Sequence, residues 1–182
     1  MRAFVAVFPP LEVRETALSG ALEAVRRSGD KVRWARPEKV HLTLKFLGDI
    51  REEALNDLCA ALEETCRHHA PFDVGLIGLG AFPSARRAQV LWAGIGAGSD
   101  GLRSLATDLD AALAPLGFER EKRPYTPHLT LGRARGKPAS FEPSEEYVGE
   151  FRVRHVELTE STLAPKGATY RTVRAFALKE ES

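Results

Sequence analysis

The chain has little of what would tie it to a membrane, an oxidising compartment or a metal. Its 182 residues include two cysteines. Cys59 and Cys66 lie seven positions apart in a stretch whose periodicity predicts a helix. That is two turns, about 10 Å, too far for a disulfide within one helix. His68 and His69 follow, but the spacing fits no zinc pattern. The reading here is a buried thiol and a solvated helix end, where imidazoles suit the C-terminal dipole. No apolar run approaches the length that spans a bilayer. The opening MRAFVAVFPP has no signal-peptide core or cleavage site, so the expected location is the cytoplasm. Charge of one sign is scarce too: a formal net charge of +1 argues against a sequence-independent coat for long nucleic acid. It leaves room for a local basic cleft.

What is present is the composition of an ordinary globular protein, 43% hydrophobic and 28% charged. The length suits one domain over residues 1–182, made of two similar lobes. Against that background one tetrapeptide stands out because it occurs twice. His41-Leu42-Thr43-Leu44 returns as His128-Leu129-Thr130-Leu131, 87 residues later and so about half a chain away. In a strand, alternate side chains share a face. Each copy therefore puts two leucines on one side and a histidine and a threonine on the other. One such match carries little weight; two, with identical intervening leucines, carry much more.

The flanking pattern repeats as well. Arg2 to Phe8 reads as an interior strand, ended by Pro9-Pro10. A helix follows with Leu11, Leu18, Ala21, Leu22 and Val25 as its apolar stripe and Ser28-Gly29 as its stop. Val32 to Trp34 reads as a brief strand and Val40 to Leu47 as the first motif strand. Asp49 and Glu52 look like an N-cap and its capping-box partner, opening a helix with Leu55, Leu58, Ala61, Leu62 and Thr65 inward. Phe72 to Leu79 is a further strand. Then Val90 to Ile95 reads as a strand, and Ser99 as the cap of a helix with Leu102, Leu105, Leu109, Leu113 and Leu116 inward, closed by Gly117. The second motif strand, His128 to Arg133, comes next. Residues 135–148 look like an irregular loop, and Phe151 to Thr162 and Thr172 to Leu178 like strands. The order strand, helix, motif strand, strand thus appears twice, which implies an internal duplication. No second copy of the helix after the first motif is evident.

Two histidines and two hydroxyls on facing strands suit metal-free phosphodiester chemistry. An in-line displacement needs a base for the attacking oxygen and an acid for the leaving oxygen, on opposite sides of phosphorus. Imidazole does either job near neutral pH. Threonine hydroxyls can donate to the non-bridging oxygens. Neither a metal nor another cofactor is expected.

The motifs sit in VRWARPEKVHLTLKFLGD (Val32–Asp49) and RPYTPHLTLGR (Arg123–Arg133). There the chain resembles the two-histidine (2H) phosphoesterases, and among them the RNA 2',3'-cyclic phosphodiesterases also called 2'-5' RNA ligases. The resemblance covers essentially the whole chain. It implies a bilobal α+β fold, with antiparallel sheets facing a central cleft and helices outside. It implies hydrolysis of RNA ending in a 2',3'-cyclic phosphate, tRNA fragments included, to a 2'-phosphate. It implies His41 as proton donor to the leaving oxygen, His128 as the base that activates water, and Thr43 and Thr130 as phosphate ligands. A monomer is expected, with no membrane partner.

Arg133 would fall on the opposite strand face from His128 in a regular strand, but a bulge at Gly132 would turn it inward as a phosphate anchor; a solvated strand end is the competing account. Tyr125 and Phe46 are candidates to stack on a base; core packing is the competing account of Phe46. Arg86, Arg87, Arg123 and Lys166 line an RNA path or are simply solvated. Two other functions compete. One is a related enzyme acting on 2'-5' oligoadenylate or small cyclic nucleotides. The other is an RNA- or nucleotide-binding module without turnover, which would need neither acid nor base.

Overall fold

A computed structural model describes residues 1–26 and 31–179. The first strand, β1 (Arg2–Val7), is buried along nearly its whole length. That is what an apolar run with no polar alternation requires. It is the second strand of a four-stranded sheet in which β1 lies between β3 (Leu42–Asp49) and β8 (His155–Thr162), with β9 (Thr169–Ala177) outside β8. The second sheet has five strands. Its order is β2 (Val32–Trp34), β6 (His128–Ala134), β5 (Val90–Ile95), β4 (Phe72–Phe82) and β7 (Ser144–Val153). All the pairings are antiparallel.

The duplication exchanges elements between the sheets. Each sheet has an interior strand, β1 or β5, beside its motif strand, β3 or β6. On the other flank of β1 is β8 from the C-terminal half, and on the other flank of β5 is β4 from the N-terminal half. The helices cross over too. Helix α1 (Leu11–Arg26) follows β1 but packs on β7, β5 and β6, while α3 (Ser99–Leu113) follows β5 but packs on β3 and on α2 (Leu55–Arg67). The first helix of each half thus packs on the motif strand of the other.

Several sequence expectations change here. The buried row of α1 is Val13, Ala17, Ala21 and Val25, whereas Leu11 and Leu22 are about half exposed, at 49% and 51%. Small residues four apart let the helix approach the sheet closely, and that outweighs the larger leucines. The expected stop at Ser28-Gly29 lies outside the described residues. Asp49 is not a cap: it still pairs in β3 opposite Arg2, and α2 begins at Leu55 after a 3-10 turn with no side-chain cap. Ser99 is not an acceptor cap either, because its hydroxyl donates to the Ile95 and Gly96 carbonyls. The residue before the helix is Gly98 at φ 83°, where a Cβ would sit 2.3 Å from the Asp73 carbonyl oxygen, so only glycine fits. Leu116 is 38% exposed rather than inward. The stretch 135–148 is not wholly irregular, since β7 starts at Ser144. Finally, Phe151 to Thr162 is not one strand. Val153 pairs with Phe72 in the second sheet and His155 with Ala177 in the first, so the chain changes sheets at Arg154.

Cys59 and Cys66 are free and buried, as expected. Burial pushes the Cys66 thiol up to about 12, so it is an inert core group.

Candidate active site

The two motif strands share one irregularity. In β3, Val5 pairs with Lys45 and Ala6 with Thr43, leaving Leu44 as an extra residue. In β6, Leu91 pairs with Gly132 and Trp92 with Thr130, leaving Leu131 as the extra residue. Both are β-bulges, which re-aim the side chains that follow them. Beyond each bulge the alternation reverses, so Leu44 and Lys45 are both buried, as are Leu131 and Gly132. Phe46 consequently returns to the face of Thr43, because their partners Phe4 and Ala6 are two apart on β1. By the same logic Arg133 returns to the face of Thr130, their partners Val90 and Trp92 being two apart on β5. Arg133 thus does turn to the functional face, through a bulge at Leu131 rather than at Gly132. Leu42 and Leu129 anchor the strands, each 0% exposed.

The histidines are held alike. His41 Nδ1 lies 2.6 Å from the Lys39 carbonyl oxygen and His128 Nδ1 lies 2.8 Å from that of Thr126. A carbonyl only accepts, so each Nδ1 carries hydrogen and donates. Nε2 is then the ring nitrogen left for chemistry. Thr43 and Thr130 are half-buried, and neither hydroxyl bonds another of the described residues.

Their surroundings differ. His41 stacks on Phe4, with centroids 4.8 Å apart, and meets Phe8 at 5.2 Å and the edge of Tyr170 at 5.4 Å. The 3-10 turn that supplies its carbonyl is tied down on two sides. Arg14 donates to the Pro37 carbonyl at 3.1 Å, and Lys39 donates to the Ala168 carbonyl in the β8–β9 turn. Burial pulls the His41 imidazole below its ordinary value; the Lys39 carbonyl opposes that, and the Arg14 cation adds to it. His128 meets one ring at its edge, Phe82 at 5.2 Å. Phe82 in turn leans on Trp92, whose indole lies across Gly80. A Cβ on Gly80 would fall 2.1 Å from Trp92 Cη2, so the indole needs glycine there.

The strands β3 and β6 approach each other directly although they belong to different sheets. The charge of Arg133, on β6, is felt by Tyr170 on β9: burial pushes the Tyr170 phenol up and Arg133 opposes it. Tyr170 is the residue that meets the edge of His41 at 5.4 Å. Tyr125 is placed differently. Its ring packs against the hydrophobic core and its hydroxyl is buried without a partner, so its environment is that of a packing residue. Phe46 is 69% exposed, so core packing is not its role.

One residue the sequence reading missed is Arg33. It pairs directly with Arg133 across β2 and β6. Like charges on directly opposed residues repel, and neither guanidinium has an ion-pair partner among the described residues. An anion between them would offset that repulsion. The signal in the sequence was slight, one arginine in a three-residue strand, and its partner is a hundred residues away.

Among the described residues no group of three or more His, Cys, Asp or Glu side chains could hold a metal ion. None of their helices is long and apolar enough to cross a membrane.

Comparison with known proteins places this geometry in a wider set. Residues 10–163 match the model of the 2'-5' RNA ligase superfamily. The chain is 36% identical over 181 residues to the RNA 2',3'-cyclic phosphodiesterase of Archaeoglobus fulgidus, covering 97% of this chain and 99% of the relative. It is 33% identical over 186 residues to the enzyme of the same name from Methanothermobacter thermautotrophicus, covering 98% and 99%. A crystal structure from Thermus thermophilus superposes with a TM-score of 0.87 at 34% identity, covering all of both chains. Escherichia coli LigT complexed with 3'-AMP superposes with a TM-score of 0.82 at 26% identity, covering 98% of each.

Proposed function

This chain belongs to the 2'-5' RNA ligase superfamily, and from that premise and the paired histidines we infer that it is an RNA 2',3'-cyclic phosphodiesterase. The observation that carries the mechanism is the matched pair of Nδ1–carbonyl bonds on two strands that bulge at the same motif position. Each bond fixes a tautomer and leaves Nε2 for proton transfer. His128 Nε2 takes a proton from water while the water oxygen bonds to phosphorus. The bond from phosphorus to the 3'-oxygen breaks on the opposite side, and His41 Nε2 gives that oxygen a proton. The products are a 2'-phosphate and a free 3'-hydroxyl. Burial makes the His41 imidazolium a stronger donor while favouring the neutral ring in the free enzyme. A phosphate anion arriving in the cleft then favours the charged ring.

Thr43 and Thr130 donate to the non-bridging oxygens, where charge grows in the transition state. Arg133, with Arg33 opposite it, anchors the phosphate. When a ribose hydroxyl takes the place of water, the same groups form a 2'-5' linkage. We expect no metal to take part, a monomer to suffice, and the substrate to be a cytoplasmic RNA end. The structure of LigT with 3'-AMP supports a nucleotide phosphate as the ligand class.

The test is turnover of an RNA oligonucleotide with a 2',3'-cyclic phosphate end in the presence of EDTA, beside a 2'-5'-linked dinucleotide. A 2'-phosphate end forming at an undiminished rate is the expected outcome. Loss of turnover with chelator, restored by a divalent cation, would overturn the metal-free mechanism. Turnover confined to the dinucleotide would overturn the substrate.

A further inference from the structure

Beside the motif strand β3 lies a cavity of about 570 Å³ that the chemistry above does not use. One wall is Phe46, Leu47 and Gly48, and the other is the segment 117–123. Phe46 is a large aromatic left 69% exposed. It is also continuous with the catalytic face: its ring lies 6.4 Å from that of Phe4, on which His41 stacks at 4.8 Å.

The far wall is built rather than loose. Lys45 points inward behind the Leu44 bulge and is 2% exposed. Its ammonium donates to Asp110 at 2.5 Å and to the Glu119 carbonyl at 2.5 Å. Asp110 also accepts from Arg120 Nε and from the Glu121 amide, each at 3.1 Å. Burial pushes the Asp110 carboxyl up, but Lys45, the Glu121 amide and Arg120 together hold it below its ordinary value, so the clamp stays charged. Of the lining cations, Arg120 is taken by Asp110 and Lys122 by Glu119. Arg123 has no ion-pair partner among the described residues and stands free for an anion.

An open aromatic face and a free arginine lining one cavity beside the strand that carries Thr43 are what single-stranded nucleic acid binding uses. We propose that this cavity is a subsite for the nucleotide immediately 5' of the cyclic end, with its base stacked on Phe46 and its phosphate held by Arg123. The enzyme then prefers a cyclic-ended oligonucleotide to a cyclic mononucleotide. The proposal rests on the cyclic phosphodiesterase reading and names which part of the RNA it grips.

The experiment compares kcat/KM for a cyclic-ended trinucleotide and for a 2',3'-cyclic mononucleotide. It uses the wild type, Phe46→Ala, Phe46→Trp and Arg123→Ala, and each variant's thermal unfolding is checked. The expected result is a trinucleotide preference in the wild type that falls roughly five- to a hundredfold in Phe46→Ala, returns in Phe46→Trp, and falls in Arg123→Ala. Binding of the product trinucleotide, with its 2'-phosphate, should weaken in parallel. A wild type with no preference, or variants that leave the preference unchanged, overturns the subsite. A wild type that turns over neither substrate but still binds the trinucleotide through Phe46 would sink the phosphodiesterase reading and leave the subsite standing.

Discussion

The bulge at Leu44 in β3 and the bulge at Leu131 in β6 put residues 41–46 and 128–133 in matched places, and two of the six positions carry different residues. Histidine and threonine are kept on both strands. Inside the fold, Lys45 on one strand corresponds to Gly132 on the other. Towards the cleft, Phe46 corresponds to Arg133. The inward difference follows from what neighbours each strand. Lys45 has Asp110 of α3 and the segment 119–121 to bind, whereas Gly132 pairs with Trp34 on the adjacent strand β2, where a Cβ would come within 2.8 Å of Val32 Cγ1 and 3.0 Å of Trp34 Cε3. The outward difference separates an aromatic face from a cation. The backbone is thus duplicated along the two motif strands, and the side chains that follow the bulges are what differ.

The strongest way to probe the comparison is at the histidines. His41→Ala and His128→Ala should each lower the rate about 10²–10⁴-fold with the fold retained, measured by turnover and thermal unfolding. The two should part company on a p-nitrophenyl ester, whose leaving group needs no proton. That substrate should partly rescue His41→Ala and leave His128→Ala inactive; rescue of the His128 variant alone would reverse the acid and base. The inward pair should show the next largest effect. Lys45→Met strands the Asp110 carboxylate from its closest partner, and urea titration should show a loss of about 3 kcal/mol. Because the Asp110 carboxyl sits below its unfolded value, the clamp's contribution is present above that value and is lost as the solution is acidified.

Leu42→Ala and Leu129→Ala, at equivalent fully buried positions, should each cost about 2–5 kcal/mol. Values far apart would mean that the two strands are not equivalently packed. Gly132→Ala should cost about 1–3 kcal/mol, because the new methyl pushes into Val32 and Trp34. The smallest effect concerns pH. The profile of kcat/KM should be bell-shaped, with limbs that belong to the coupled pair. The Arg14 cation disfavours a charged His41, so Arg14→Gln should raise the pH at which that proton is lost and move the alkaline limb upward. A limb that stays still would show that Arg14 acts only through its bond to the Pro37 carbonyl.

Residues 41–44 and 128–131 made the candidate site legible at once, because a repeated tetrapeptide with strand alternation fixes which side chains share a face. The strands β2 and β5 were readable to the residue, β5 as a short apolar run and β2 from its β-branched and aromatic ends. Phe46 and Arg133 could not be placed with certainty, since a bulge reverses the alternation and leaves no mark in composition. Tyr125, beside a motif and aromatic, read as a stacking residue; packing against the core decided otherwise.

By itself, then, the sequence determined the local units: the motif strands, the helices α2 and α3 through their leucines, the twofold repeat, and the histidine–threonine pairs that name the chemistry. Tertiary structure decided the rest. It set the exchange of strands and helices between the sheets, the break at Arg154, the Lys45–Asp110 clamp and the opposition of Arg33 to Arg133. The physical reason is range. Propensity and periodicity act over a few residues, whereas a bulge's consequences, a buried charge's partner and a cross-strand neighbour depend on segments 65 to 100 positions away.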